Sequence, residues 1–258
     1  MVRSQGFQSG RRKGPRNQDR RVDGKPVQNS ILQTLPEPEF LALKPHLRFA
    51  EFEVSDYLQR QGNPITDTFF LNKGVAAMVI ETSDARTVEV GTAGCECMVG
   101  LPVAGGVYQL TYSVVVQAPS NGFWFPVKAM KRILPSTPEL QRMLVRRLAI
   151  RSLAETQISA CNRLHNLMQR LARWLLLMQD RLPSERIGTT HDIVSKMMGT
   201  DRSTVSLAIA DFESKGLLRR HRGSLTITNR PKLREHSCEC YSVLSEFNSE
   251  LGLKRSAG

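Results

Sequence analysis

Arg202, Ser203, Thr204 and Ser206 have the types and spacing of residues that read DNA. An arginine guanidinium pairs with two acceptors on guanine, and serine or threonine hydroxyls reach base edges or phosphates. Thr190 and His191 lie just upstream, and Asp201 directly precedes the set. Downstream, Arg219, Arg220 and Arg222 supply cations where phosphates would pass. These residues form the candidate DNA-binding set, and double-stranded DNA is the partner it implies.

A second chemistry is offered by two Cys-x-Cys pairs, Cys95/Cys97 and Cys238/Cys240, with His236 two residues before Cys238. Four sulfurs can hold zinc or switch redox state. The spacing is not the two-residue one of common zinc motifs, and the pairs fall in different domains. Each pair is therefore read as packed core, and no metal is expected. The chain has five cysteines and no apolar leader, so a reducing cytoplasm is expected, without a disulfide framework. His46, His165, His191, His221 and His236 are scattered, with no nucleophile motif or glycine-rich phosphate loop beside them. No enzyme is expected.

The elements that must position the arginines are legible. Thr189 stands three residues before Asp192, close to a capping box, and Ile193 and Met197 pair on a short helix. Gly199 permits a sharp turn. Thr200 or Asp201 then caps a second helix whose core face is Val205, Ala208, Ile209 and Phe212, ended by Lys215-Gly216. Strand-like Leu217–His221 and Leu225–Thr228 flank Arg222-Gly223-Ser224 as a wing. The whole is a winged helix-turn-helix.

Upstream, one long helix is expected from about Glu139 to Asn162 and another over Leu164–Met178, before Pro183. Between Arg48 and Phe125 lie short strand-like runs, with Asn72-Lys73-Gly74 and Pro119-Ser120-Asn121-Gly122 read as turns. Many short strands without long helices point to an antiparallel barrel or jelly roll, so the fold class is α+β. The longest uncharged stretch, Cys97–Val127, is broken by Pro102, Pro119 and Pro126, and no membrane partner is expected.

The 258 residues carry 36 Lys+Arg against 24 Asp+Glu, a formal +12. Residues 1–28 hold half of it, with Arg3, Arg11, Arg12, Lys13, Arg16, Arg20, Arg21 and Lys25 against Asp19 and Asp23. Poor in large apolar residues, this segment is expected to be a disordered basic tail.

A barrel, then a long helix, then a winged helix-turn-helix resembles the cyclic-AMP receptor protein / fumarate-nitrate regulator (Crp/Fnr) superfamily of bacterial transcription regulators. The resemblance spans roughly residues 29–230. It is carried most strongly by Gly199 through Glu213, with Arg202, Thr204 and Val205 resembling the recognition helix. Cys161-Asn162-Arg163-Leu164-His165 and Gln169 through Leu176 resemble the hinge and following helix. Ser237-Cys238-Glu239-Cys240-Tyr241 resembles a tail of one proteobacterial branch.

The expected organisation starts with the disordered tail over 1–28, and the resemblance implies a cyclic-nucleotide-binding-like sensory β jelly-roll barrel over 29–135. It implies a dimerisation helix over 136–163, the winged domain over 164–230 and a C-terminal extension over 231–258. It also implies a homodimer on a palindromic operator, with RNA polymerase as a further partner if the protein activates. The competing reading is a small-ligand or cyclic-nucleotide sensory module with a weak or vestigial DNA-binding domain.

Departures matter. No Glu follows Gly100, and no Lys or Arg lies between Arg86 and Lys128. A buried cyclic phosphate needs a paired cation, so cyclic AMP is not expected and the effector is unknown. No cysteine precedes Cys95, so the N-terminal iron–sulfur site of the oxygen-sensing branch is absent. Ser203 and Leu207 stand where many relatives carry Glu and Arg, which implies a different operator.

Overall fold

The computed structural model describes residues 19–253, so residues 1–18 of the expected tail lie outside the described residues. Residues 19–28 correct that expectation, because they are folded. Strands β1 (Arg21–Val22) and β2 (Lys25–Pro26) form a hairpin, closed by Asp23 and Gly24 at φ +48° and +76°. Two successive positive φ values make a type I′ turn, for which Asp-Gly is a favoured dipeptide. Val22 and Val27 are buried, and so is Arg20. Arg20 Nη2 donates to Leu35 O and to Glu37, each at 2.8 Å, with its guanidinium 4.3 Å from the Phe40 ring centre. A charge counted as part of a solvated tail is a structural tie.

Two short helices follow, α1 (Ser30–Thr34) and α2 (Glu37–Leu43). The sheet domain contains β3 (Arg48–Phe52), β4 (Tyr57–Gln59), β5 (Asp67–Glu81), β6 (Thr87–Ala93), β7 (Met98–Val99) and β8 (Ser113–Pro126). All pairings are antiparallel, in the order β3-β8-β5-β6, with β4 also on β8 and β7 also on β5.

The two segments read as turns are corrected to opposed bulges inside β5 and β8. The register shifts between Leu71 and Lys73 and again before Val75, opposite Gly122, Asn121 and Ala118. At this bend both strands change partners: β8 passes from β4 to β3, and β5 from β7 to β6. One long ribbon thus serves two half-sheets, as a jelly roll requires. Gly74 lies at φ +91°, and a Cβ there would collide with Ser120, so the crossing needs glycine.

Helix α3 (Val127–Ile133) leads to α4 (Pro138–Leu164), 27 residues long, begun by a proline at its first position. Residues His165 (φ −102°, ψ 146°) and Asn166 alone separate α4 from α5 (Leu167–Gln179). Asn166 and Gln169 form a capping box that restarts the helix. There follow β9 (Arg186–Gly188), α6 (His191–Met198), α7 (Arg202–Ser214), β10 (Leu218–His221), β11 (Ser224–Ile227), α8 (Arg230–Glu235) and α9 (Cys240–Glu250).

One core fills the sheet domain around Phe70, Phe123, Phe125 and Leu144. A second runs from the sheet's outer side (Val75, Ala77, Val79) through Trp174 to Val205, Ile209 and Phe212. The winged domain is therefore docked on the sheet by apolar packing. Trp174 Nε1 donates to the buried Glu89 of β6 at 2.9 Å. Among the described residues no helix is long and apolar enough to cross a membrane.

Candidate nucleic-acid interface

Helices α6 and α7 are joined at Gly199, whose φ of +63° makes the left-handed cap that ends α6. The N-cap of α6 is Thr190, not Thr189. Thr190 Oγ1 accepts from Ile193 N at 3.2 Å, while Thr189 is buried and its backbone N–H donates to Gly223 O at 3.1 Å. Asp201 caps α7: Oδ1 accepts from Thr204 N at 2.7 Å, and the hydroxyls of Ser203 and Thr204 donate to its carboxylate. The Ser203 hydroxyl first, and then Thr204, hold the Asp201 carboxyl far below its ordinary value. Asp201 is thus an organiser of the helix start, with both oxygens engaged.

Val205, Ala208, Ile209 and Phe212 are buried, as the helical spacing requires. The opposite face presents Arg202, Ser203, Thr204 and Leu207, and Leu207 is 74% exposed. Ser206 is turned inward: its hydroxyl donates to Arg202 O at 2.8 Å and lies 2.8 Å from His191 Nδ1. Partial burial, then Arg220 and Arg202, lower the His191 pKa. His191 braces α6 against α7 through this contact with Ser206.

Strands β10 and β11 pair antiparallel, and β9 adds a third strand on β11. Arg219, Arg220 and Arg222 are exposed on this wing. Arg220 is clamped: its N–H donates to Glu213 Oε1 at 3.0 Å, and its guanidinium pairs with Glu213. That backbone bond, with the guanidinium, lowers the Glu213 pKa. The clamp ties the end of α7 to the wing, and Arg219 and Arg222 remain the outward cations.

The gap in cations between Arg86 and Lys128 is filled from outside that segment. Arg147 Nε donates to Glu96 O at 3.0 Å. Arg151 pairs with Glu155 at 2.8 Å, and Arg181 pairs with Glu96 at 3.0 Å with both side chains 3% exposed. These arginines lie on or beyond α4, outside the strands they serve.

The two Cys-x-Cys pairs lie apart. Cys97 lies 3.8 Å from Arg151 Nη1, whereas Cys238 and Cys240 lie beside Cys161 and His165, a grouping that sequence spacing did not announce.

Residues 169–236 match the model of the Crp-like helix-turn-helix domain. No curated protein matches the chain. Among solved structures, FixK2 from Bradyrhizobium japonicum is similar at TM-score 0.64 and 14% identity, covering 74% of this chain and 98% of its own. The c-di-GMP-responsive global regulator CLP of Xanthomonas campestris reaches 0.62 at 14% identity, over 75% of this chain and 100% of its own. A CRP-family transcriptional regulator from Thermus thermophilus reaches 0.60 at 16% identity, over 73% and 96%. The fold of the chain is that of Crp/Fnr regulators.

Proposed function

The C-terminal domain is a Crp-like helix-turn-helix domain on a Crp/Fnr fold, and from that premise we propose a sequence-specific regulator of transcription that binds double-stranded DNA. The carrying observation is the first turn of α7. Its inner face is sealed in the core, and Arg202, Ser203, Thr204 and Leu207 face solvent beside the outward Arg219 and Arg222. Arg202 pairs with a guanine, the hydroxyl oxygens accept from bases or water, and Leu207 packs on a thymine methyl. The wing arginines contact phosphates.

A homodimer is supported by α4, which leaves Val145, Leu153 and Leu164 at least half exposed along its length. A second copy covering them would place two α7 helices in successive major grooves of a palindrome. Cyclic AMP is not the effector in this reading. The cavity between the sheet, α4 and α9 measures about 40 Å³, and Leu244, Phe247 and Leu251 of the C-terminal helix line it. Small-ligand sites are about 300–1,000 Å³.

The test is selection of bound sequences from a random DNA pool, followed by fluorescence anisotropy across a salt series. Specific binding whose logarithm falls linearly with log salt is expected. Affinity independent of salt, or enrichment of no sequence, would overturn the reading.

A further inference from the structure

Cys161 and His165 at the end of α4 meet Cys238 and Cys240 at the start of α9. Three Sγ atoms and a His165 ring nitrogen all lie within 4.8 Å of one another. Cys161 Sγ is 3.5 Å from Cys238 Sγ, and Cys240 Sγ is 3.6 Å from His165 Nδ1. All are free thiols, so no disulfide accounts for the closeness. Thiolates at about 2.3 Å from a tetrahedral zinc ion place neighbouring ligand atoms about 3.6–3.8 Å apart. We propose that Cys161, His165, Cys238 and Cys240 form a site for one zinc ion.

Three features outside the ligand set support this. His165 Nε2 lies 3.2 Å from Glu239 Oε1. A carboxylate on the far nitrogen is what orients a metal-bound imidazole, and here it leaves Nδ1 for the metal. Gln157 Nε2 donates to Cys240 Sγ at 3.0 Å, a bond that stabilises a thiolate. Three thiolates and a divalent ion leave one net negative charge, which burial penalises unless a cation is near. Arg173 supplies it: it is 2% exposed, its Nε and Nη1 have no hydrogen-bond partner, and it acts electrostatically on Cys161. The three cysteines are 0–4% exposed. Buried soft donors with one imidazole favour zinc over calcium or magnesium.

The placement gives the site a purpose. Cys161 and Cys238 lie 77 residues apart, and α5 through β11, the whole winged domain, lies between them. The ion would join the chain entering that domain to the chain leaving it.

The experiment uses the full chain, purified without a histidine tag under reducing conditions, with metals counted per chain by mass spectrometry. One zinc per chain is expected, replaceable by cobalt with a thiolate charge-transfer band and strong tetrahedral visible bands. Cys238→Ser and Cys240→Ser should each lose the metal, and Cys95→Ser should keep it. Glu239→Gln leaves every ligand in place and should weaken zinc binding about 10–100-fold, a readout that stands even if a cysteine variant misfolds. Four outcomes would overturn the proposal. They are a chain that neither carries zinc nor takes up cobalt, zinc retained by the Cys238→Ser/Cys240→Ser double variant, a Cys161–Cys238 disulfide in place of metal, and iron with labile sulfide.

Discussion

Arg202, Arg219 and Arg222 stand in solvent, whereas Arg147, Arg151, Arg173 and Arg181 are buried along the seam joining the sheet, α4 and the C-terminal helices. Residue type is the same in both groups. The difference lies in what surrounds the guanidinium. Within the seam a carboxylate or carbonyl meets Arg147, Arg151 and Arg181, and removal of a paired guanidinium strands a charge in low dielectric. On the surface water and salt already screen it, so it contributes little to stability and is available to a polyanion.

That contrast can be broken most forcefully at Arg181. Arg181→Ala leaves Glu96 buried and unpaired and should destabilise by about 3–5 kcal/mol in urea unfolding. Replacing both partners with apolar residues of similar size should recover most of the loss.

The next test concerns Glu89, which faces the same seam. Burial pushes its carboxyl up from 4.5 to about 7, against the opposing pull of Arg173, the Trp174 N–H and Arg181. The folded protein then holds a proton that the unfolded chain gives up near pH 4.5. This contribution is fully present below that pH and is lost as pH rises through about 7. Glu89→Gln keeps an acceptor for Trp174 and cannot titrate. Relative to it, the native chain should lose roughly 3 kcal/mol between those limits, seen in unfolding curves across pH.

On the surface, Arg202→Ala should cost about 1–3 kcal/mol of binding at one base position per half-site, with unfolding unchanged within about 0.5 kcal/mol. A loss uniform over all sequences would mark Arg202 as a phosphate contact instead. Arg222→Ala should weaken binding to every sequence and reduce the salt slope by about 1. Smallest of all, Arg220→Ala releases the exposed clamp on Glu213 and should leave the urea unfolding midpoint nearly unchanged.

The exposed group was readable in the sequence because everything that positions it is local. Gly199 ends one helix, Asp201 caps the next, and Val205, Ile209 and Phe212 repeat at helical spacing within a dozen residues. Either of two adjacent threonines fits the capping pattern in sequence, and the fold separates them by burying Thr189 and leaving Thr190 to cap. The seam was not readable, since Arg181 and Glu96 are 85 residues apart, as are Trp174 and Glu89. The cations of the seam are delivered by elements distant in the chain, not by the strands themselves. The bulges at Gly74 and Gly122 failed for a related reason: glycine and proline mark a departure from straight pairing, and a turn and a bend look alike until the opposite strand is known. The Asp23-Gly24 hairpin was the missed local signal, hidden by the surrounding positive charge.

His165 and Asn166, the two residues between α4 and α5, set the mechanics of the whole. A joint this short between two capped rods has little slack to absorb motion. Helix α5 is about 20 Å long, so a turn of about 10° at the joint carries its far end through about 3 Å. That is the span of a hydrogen bond. In the proposed complex with DNA, a disturbance of α4 too small to alter its own packing would decide whether Arg202 meets a base edge or misses it.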